Sequence, residues 1–130
     1  MRQKIGAIIL NDGKLLVVRK KDAEVYIMPG GGIEENETHE QCLARELKEE
    51  LNVKPTKFAF FGTFVEPAMF EKGKIKMSIY FVDIEGIPKP HSEIVECFWL
   101  DKNYRKKNIK LGSVCEKHVI PKLIYMELLK

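Results

Sequence analysis

A chain of 130 residues is the length of one ordinary domain, enough to bury a single core. Its 22 Lys and Arg against 19 Asp and Glu give a net charge of +3, too mild to argue for a nucleic-acid or membrane-surface partner. No apolar run approaches the ~20 residues of a membrane span, and MRQKIGAIIL lacks a signal peptide's pattern. Three widely spaced cysteines, Cys42, Cys97 and Cys115, suit core thiols in a reducing cytoplasm rather than a disulfide framework or zinc ribbon.

In chain order, KIGAIIL from Lys4 is rich in β-branched residues, and Asn11 to Gly13 follows as a hairpin turn into KLLVVRKK. EVYIMPGGG then reads as a short strand broken by Pro29 and a loop of glycines, Gly30 to Gly32. Thr38 and Gln41 fit a capping box, so a helix is expected from about His39 to Leu51. Leu43, Leu47 and Leu51 form its docking stripe, and Asn52 is a suitable left-handed terminator. Two longer strands, KFAFFGTFVE and IKMSIYFVDIEG, are expected to pair antiparallel around EKGK, with VECFWL as a shorter strand after them. The final segment from Gly112 reads as an amphipathic helix that Pro121 kinks or splits. Strands interleaved with two helices indicate a single α/β (α+β) domain over residues 1–130 with a mixed sheet.

The first helix carries an unusual charge pattern. Seven glutamates fall between Pro29 and Val53, and Glu46, Glu49 and Glu50 share neighbouring turns of one face. Such a triangle of carboxylates is a solvated face when exposed and demands a counter-charge when buried; Mg²⁺, a hard cation that prefers oxygen ligands, would supply one. The bland alternative is a charged surface on which Arg45 pairs with Glu49. The glycines just upstream favour the metal, because free amides and a carbonyl there suit phosphate and cation.

Taken together these residues resemble the Nudix hydrolase signature, G-x5-E-x7-R-E-U-x-E-E-x-G-U, where U is a bulky aliphatic residue. Gly31, Glu37, Arg45, Glu46, Leu47, Glu49, Glu50 and Val53 fill its specified positions, and only Asn52 departs, standing where the last glycine belongs. The resemblance implies an α/β/α sandwich with a mixed sheet between helices. It also implies hydrolysis of the phosphoanhydride of a nucleoside diphosphate linked to another moiety, such as a nucleoside triphosphate, possibly oxidised, or a nucleotide sugar. Mg²⁺, with Mn²⁺ as a substitute, is the cofactor it implies, and a homodimer is common in the family. By the same resemblance Glu46, Glu49, Glu50 and the Gly30 carbonyl are the metal ligands, Arg45 orients the glutamates, and Glu37 supports them. The general base is Glu46 or Glu93; Glu96 is the neighbouring alternative to Glu93. A Nudix-fold sensor that binds a nucleotide without cleaving it is the competing function, although such modules usually lose signature glutamates.

Arg19 and Gly31 are the candidate substrate contacts, with a solvated strand end as the other reading of Arg19 to Lys21. Phe58, Phe60, Phe61, Phe64 and Phe70 read as core aromatics, with a base-stacking platform among them as the other reading; Trp99 is expected in the core, and the three histidines show no ligand-like spacing. YRKKNIK from Tyr104 is basic enough to touch RNA but reads as a solvated loop. Pro67 lies near where ADP-ribose hydrolases of the resembled family carry a proline.

Overall fold

A computed structural model describes residues 1–68 and 72–130; Phe70 and the start of the expected EKGK turn lie outside them. Strand β1 (Arg2–Ile8) is central to a four-stranded mixed sheet of order β4-β1-β6-β5, with β4 at Gly30–Gly32, β5 at Lys54–Pro67 and β6 at Lys74–Glu85. It runs antiparallel to β4 and parallel to β6, and β6 runs antiparallel to β5. A second sheet, β2-β3-β7, joins β2 (Leu10–Asn11), β3 (Lys14–Lys20) and β7 (Ile94–Leu100), with antiparallel pairing throughout. The Leu16 amide bonds the Ile9 carbonyl at 2.9 Å, so the first hairpin ties the two sheets together.

The hairpin turn closes on Asp12 and Gly13, with φ of 52° and 74°. Positive φ at both central residues matches the twist of the flanking strands, which is why an Asp-Gly pair turns here. In β3, LLVV is apolar at every position because both faces are covered. Leu15 and Val17 join the core cluster beneath the C-terminal helix, while Leu16 and Val18 join the cluster beneath α1 (His39–Leu51). Helices thus cover both faces of the sheets.

Helix α1 forms over the expected span. Thr38 caps the Gln41 amide, the Gln41 side chain returns to the Thr38 amide, and Asn52 ends the helix at φ 54°. Leu43, Leu47 and Leu51 are fully buried. The C-terminal segment differs from a simple kink. A π-helical turn, Cys115–Val119, precedes α2 (Ile120–Tyr125), and the Ile120 amide reaches back to the Cys115 carbonyl. Pro121 has no amide to give, and its ring would crowd the carbonyl four residues earlier; widening the turn before it relieves both problems. No described helix is long and apolar enough to cross a membrane.

Three further expectations are corrected. The glycines form a paired strand rather than a loop, with Gly30, Gly31 and Gly32 opposite Gly6, Ile5 and Lys4. Tyr104–Lys107 is a 3₁₀ turn anchored by the buried Tyr104, whose hydroxyl donates to Glu116 at 3.1 Å. Phe58, Phe61, Phe64 and Trp99 pack against the core, but Phe60 is 60% exposed and meets the Tyr80 ring edge-on. Among the described residues it is the one expected core aromatic that the sheet edge leaves outside.

The cap at Asn52 can be tested directly. Asn52→Gly should leave thermal stability unchanged or slightly raised, whereas Asn52→Val should cost about 1 kcal/mol by denaturant unfolding, because a β-branched residue resists the left-handed region.

Candidate active site

Helix α1 carries Arg45, Glu46 and Glu49 to one side of its leucine stripe and the buried Glu50 beside that stripe, and β4 lies directly against this acidic side. At Gly31 a Cβ would sit 2.5 Å from the Glu46 carboxylate. At Gly30, with φ 141°, a Cβ would stand 2.0 Å from the Ile5 carbonyl oxygen. A side chain at Gly31 would push β4 away from α1, and one at Gly30 would push it away from β1; without them, the Gly30 amide donates to Glu50 Oε1 at 3.1 Å. Beneath β4 the Cys42 thiol reaches the Gly32 carbonyl at 3.6 Å, and burial pushes its pKa up to about 12, as befits a core thiol.

Arg45 organises the acidic side. Its Nε and Nη2 hold Glu37 in a two-pronged grip at 2.7 and 2.9 Å, and Nη2 also donates to the Gly32 carbonyl at 3.1 Å. Nη1 donates to Glu46 at 2.8 Å, with Glu34 at 3.5 Å and Glu49 at 3.7 Å. Glu37 in turn accepts from the Glu34 amide at 2.9 Å, which closes the loop before the helix. Hydrogen bonds from Arg45 hold the Glu37 carboxyl down at about 2. The bland pairing of Arg45 with Glu49 is therefore the longest of its four ion pairs among the described residues.

The cluster is not a solvated face. Glu50 is 3% exposed, and burial pushes its carboxyl up to about 8 despite the Gly30 amide. Burial also raises Glu46, opposed by Arg45 and reinforced by the charges of Glu49 and Glu93. Glu50 is buried and Glu46 half-buried, and the Arg45 guanidinium beside Glu46 is already gripped by Glu37, so the donor set fits a hard divalent ion. Among the described residues no three carboxylate, thiol or imidazole side chains stand together as a closed metal shell. An ion that retains several waters does not require one.

Of the other sequence candidates, Arg19 is turned away. Its Nε bonds Glu96 at 3.1 Å and its Nη1 the Ala23 carbonyl at 3.1 Å, while the Tyr26 hydroxyl also donates to Glu96 at 2.8 Å. Arg19, Glu96 and Tyr26 thus form a knot of their own. Lys20, the neighbour of Arg19 at the same basic strand end, faces the site instead: its Nζ is 3.5 Å from Glu93 Oε1, and its charge favours ionised Glu50. Strand alternation is the signal that separates the two, since neighbours point to opposite faces. A cleft beside the cluster is walled by Ile5, Met28, Ile75, Met77 and Val114, with Lys4, Lys20, Gly30 and Gly31 also on its wall. Gly31 thus both borders the cleft and makes room for Glu46.

The family model for the NUDIX domain matches residues 1–113. The chain belongs to the Nudix family. It is 28% identical over 85 residues to an ADP-ribose pyrophosphatase of Methanocaldococcus jannaschii, covering 63% of this chain and 50% of that protein. An RNA pyrophosphohydrolase of Hydrogenovibrio crunogenus is 39% identical over 62 residues, covering 47% of this chain and 38% of the relative. The chain therefore spans half or less of the length of these relatives. Among solved structures, the E. coli ORF135 protein shares the Nudix fold with a TM-score of 0.77 at 23% identity, covering 97% of this chain and 90% of that one. A UDP-X diphosphatase gives 0.79 at 16% identity, covering 96% and 63%.

Two tests follow from this geometry. Gly31→Ala should fold yet bind divalent cations at least about tenfold more weakly by calorimetry, because the added methyl displaces Glu46. Glu50 should make the metal-free protein less stable as pH rises from about 4.5 to about 8. In that window the folded state keeps a proton that the unfolded chain has released, so the slope of stability against pH is negative. Thermal melts across the window should show the decline, Glu50→Gln should flatten it, and a melt that rises with pH in wild type but not in the variant would refute the assignment.

Proposed function

We propose that this Nudix chain is an Mg²⁺-dependent hydrolase of nucleoside diphosphates linked to a further moiety. The observation that carries the reading is the buried Glu50 and half-buried Glu46 packed against Gly30 and Gly31, two glycines that also line the wall of an apolar cleft. Such a site would take a phosphate chain at the acidic rim and a nucleoside in the cleft. The ADP-ribose and RNA pyrophosphohydrolases among its relatives act on substrates of this kind by name.

In this reading Glu46, Glu49, Glu50 and the Gly30 carbonyl hold Mg²⁺, for which Mn²⁺ can substitute. When bound, the ion offsets diphosphate charge and makes a coordinated water more acidic. Arg45 and Glu37 keep the ligand carboxylates in place, and Lys20, rather than Arg19, meets phosphate oxygens. Water attacks a phosphorus, the anhydride P–O bond breaks, and a carboxylate accepts the proton. Glu93 suits that task better than Glu46: it is 59% exposed and beside Lys20, whereas Glu46 is clamped by Arg45 and 15% exposed. The walls of the cleft are mostly aliphatic and sulfur-bearing, with Ser113 the one hydroxyl side chain among them, so a base is gripped by shape and weakly discriminated. The free thiols of Cys42, Cys97 and Cys115 are in keeping with a cytoplasmic enzyme.

The decisive experiment is a panel of nucleoside triphosphates, ADP-ribose, dinucleotides, nucleotide sugars and a 5′-triphosphorylated RNA, assayed with Mg²⁺ and with chelator. Turnover that requires the metal, and that Glu46→Gln and Glu93→Gln each reduce by about 10²-fold or more, is the expected result. Tight nucleotide binding with no turnover on any member would instead make the protein a sensor.

A further inference from the structure

Between β6 and β7 the chain runs along the C-terminal end of α1. The Lys89 amide donates to the Leu51 carbonyl at 3.1 Å, and the His91 amide to the Glu50 carbonyl at 2.9 Å. Residues 91–94 then close a tight turn, in which the Ile94 amide bonds the His91 carbonyl at 3.1 Å. Ser92 is its first central residue, and its φ is 57°. Turns with positive φ at that position are usually made by glycine, because a Cβ there is crowded. Nothing about a surface serine demands such a backbone; what demands it is the direction the chain must take next.

That direction fixes Glu93. Its carbonyl accepts the Lys21 amide at 2.9 Å, and its carboxylate lies 3.5 Å from Lys20 Nζ. The side chain is 59% exposed, so its placement comes from the backbone on either side rather than from surrounding packing. Glu50 is the common anchor: its carboxylate accepts the Gly30 amide while its own carbonyl accepts the His91 amide.

We propose that Ser92 is a positioning residue: its left-handed turn, tethered by the His91 amide to the Glu50 carbonyl, sets where the Glu93 carboxylate stands relative to the acidic cluster. This rests on the reading of Glu93 as the proton acceptor. Misplacing such a group by about an ångström is enough to lose about 10²-fold in rate.

The test is steady-state kinetics with Mg²⁺, on whichever member of the panel wild type hydrolyses fastest, for Ser92→Gly, Ser92→Pro, Glu93→Gln and the Ser92→Pro/Glu93→Gln double variant. Glycine accepts the backbone and should keep kcat within about twofold. Proline forbids it, because its ring fixes φ near about −65°, and should lower kcat by about tenfold or more with KM little changed. Since both changes act through one carboxylate, the double variant should be no more than about twofold worse than Glu93→Gln alone. Ser92→Val, which keeps the amide and merely resists positive φ, serves with the same expectations should the proline variant fail to fold. Wild-type kcat in the proline or valine variant, or losses that multiply in the double variant, would overturn the positioning role while leaving the hydrolase reading intact. Undiminished kcat in Glu93→Gln would instead remove the proton-acceptor assignment, and this inference with it.

Discussion

The guanidinium of Arg45 is hydrogen-bonded on three sides: to Glu37 through two nitrogens, to the Gly32 carbonyl of β4, and to Glu46 on its own helix. Loop, strand and helix are thereby held in one frame by one planar group whose donors point in fixed directions. A lysine could neutralise the same charge but could not fork to Glu37 while reaching Gly32 and Glu46. Because Glu37 and Glu46 bind to different edges of the fork, neither can move without dragging the other. The rigidity of the acidic cluster is thus a property of hydrogen-bond geometry as much as of charge.

That frame leaves a deliberate imbalance. Arg45 compensates the outer carboxylates, while Glu50, deeper in the fold, has the Gly30 amide and the charge of Lys20. Strand β4 packs closely on α1 beside it, and the glycines permit this arrangement, Gly31 by leaving room for Glu46 and Gly30 by letting β4 lie against β1. Desolvation favours the neutral form of such a group until a cation arrives. Affinity for a cation and readiness to take up a proton therefore have the same structural cause.

Where sequence and structure agree, local chemistry was decisive. The capping box at Thr38 and Gln41, the leucine stripe and the Asn52 terminus define α1 without reference to the rest of the fold, and the helix is found where they put it. The identity of the acidic face was legible because helix periodicity and the signature spacing coincide. The glycine strand was not: Gly30 to Gly32 has no strand propensity, and it is extended only because β1 pairs with it. Likewise Arg19 and Lys20 are indistinguishable by composition, and only the fold reveals that Glu96 and Tyr26 claim the first. Tyr104 and the π turn before Pro121 escaped for the same reason, since both answer to partners distant in the chain.

The central parallel pairing has a consequence for how the molecule comes into being. Strand β1 aligns Arg2 with Ile75, and β3 aligns Leu15 with Leu100, so beyond the nearer pairings with β4 and β2 the first strands complete their sheets only after most of the chain is available. Contacts of such sequence separation must overcome large loop-closure entropy and slow the search for the native state. Helix α1 and its capping box can form early and locally, but β4 can press against it only once β1 is seated in the sheet. Assembly of the acidic cluster is then among the late events of folding, and its mutual repulsion is confronted only when the rest of the sheet is in place to contain it.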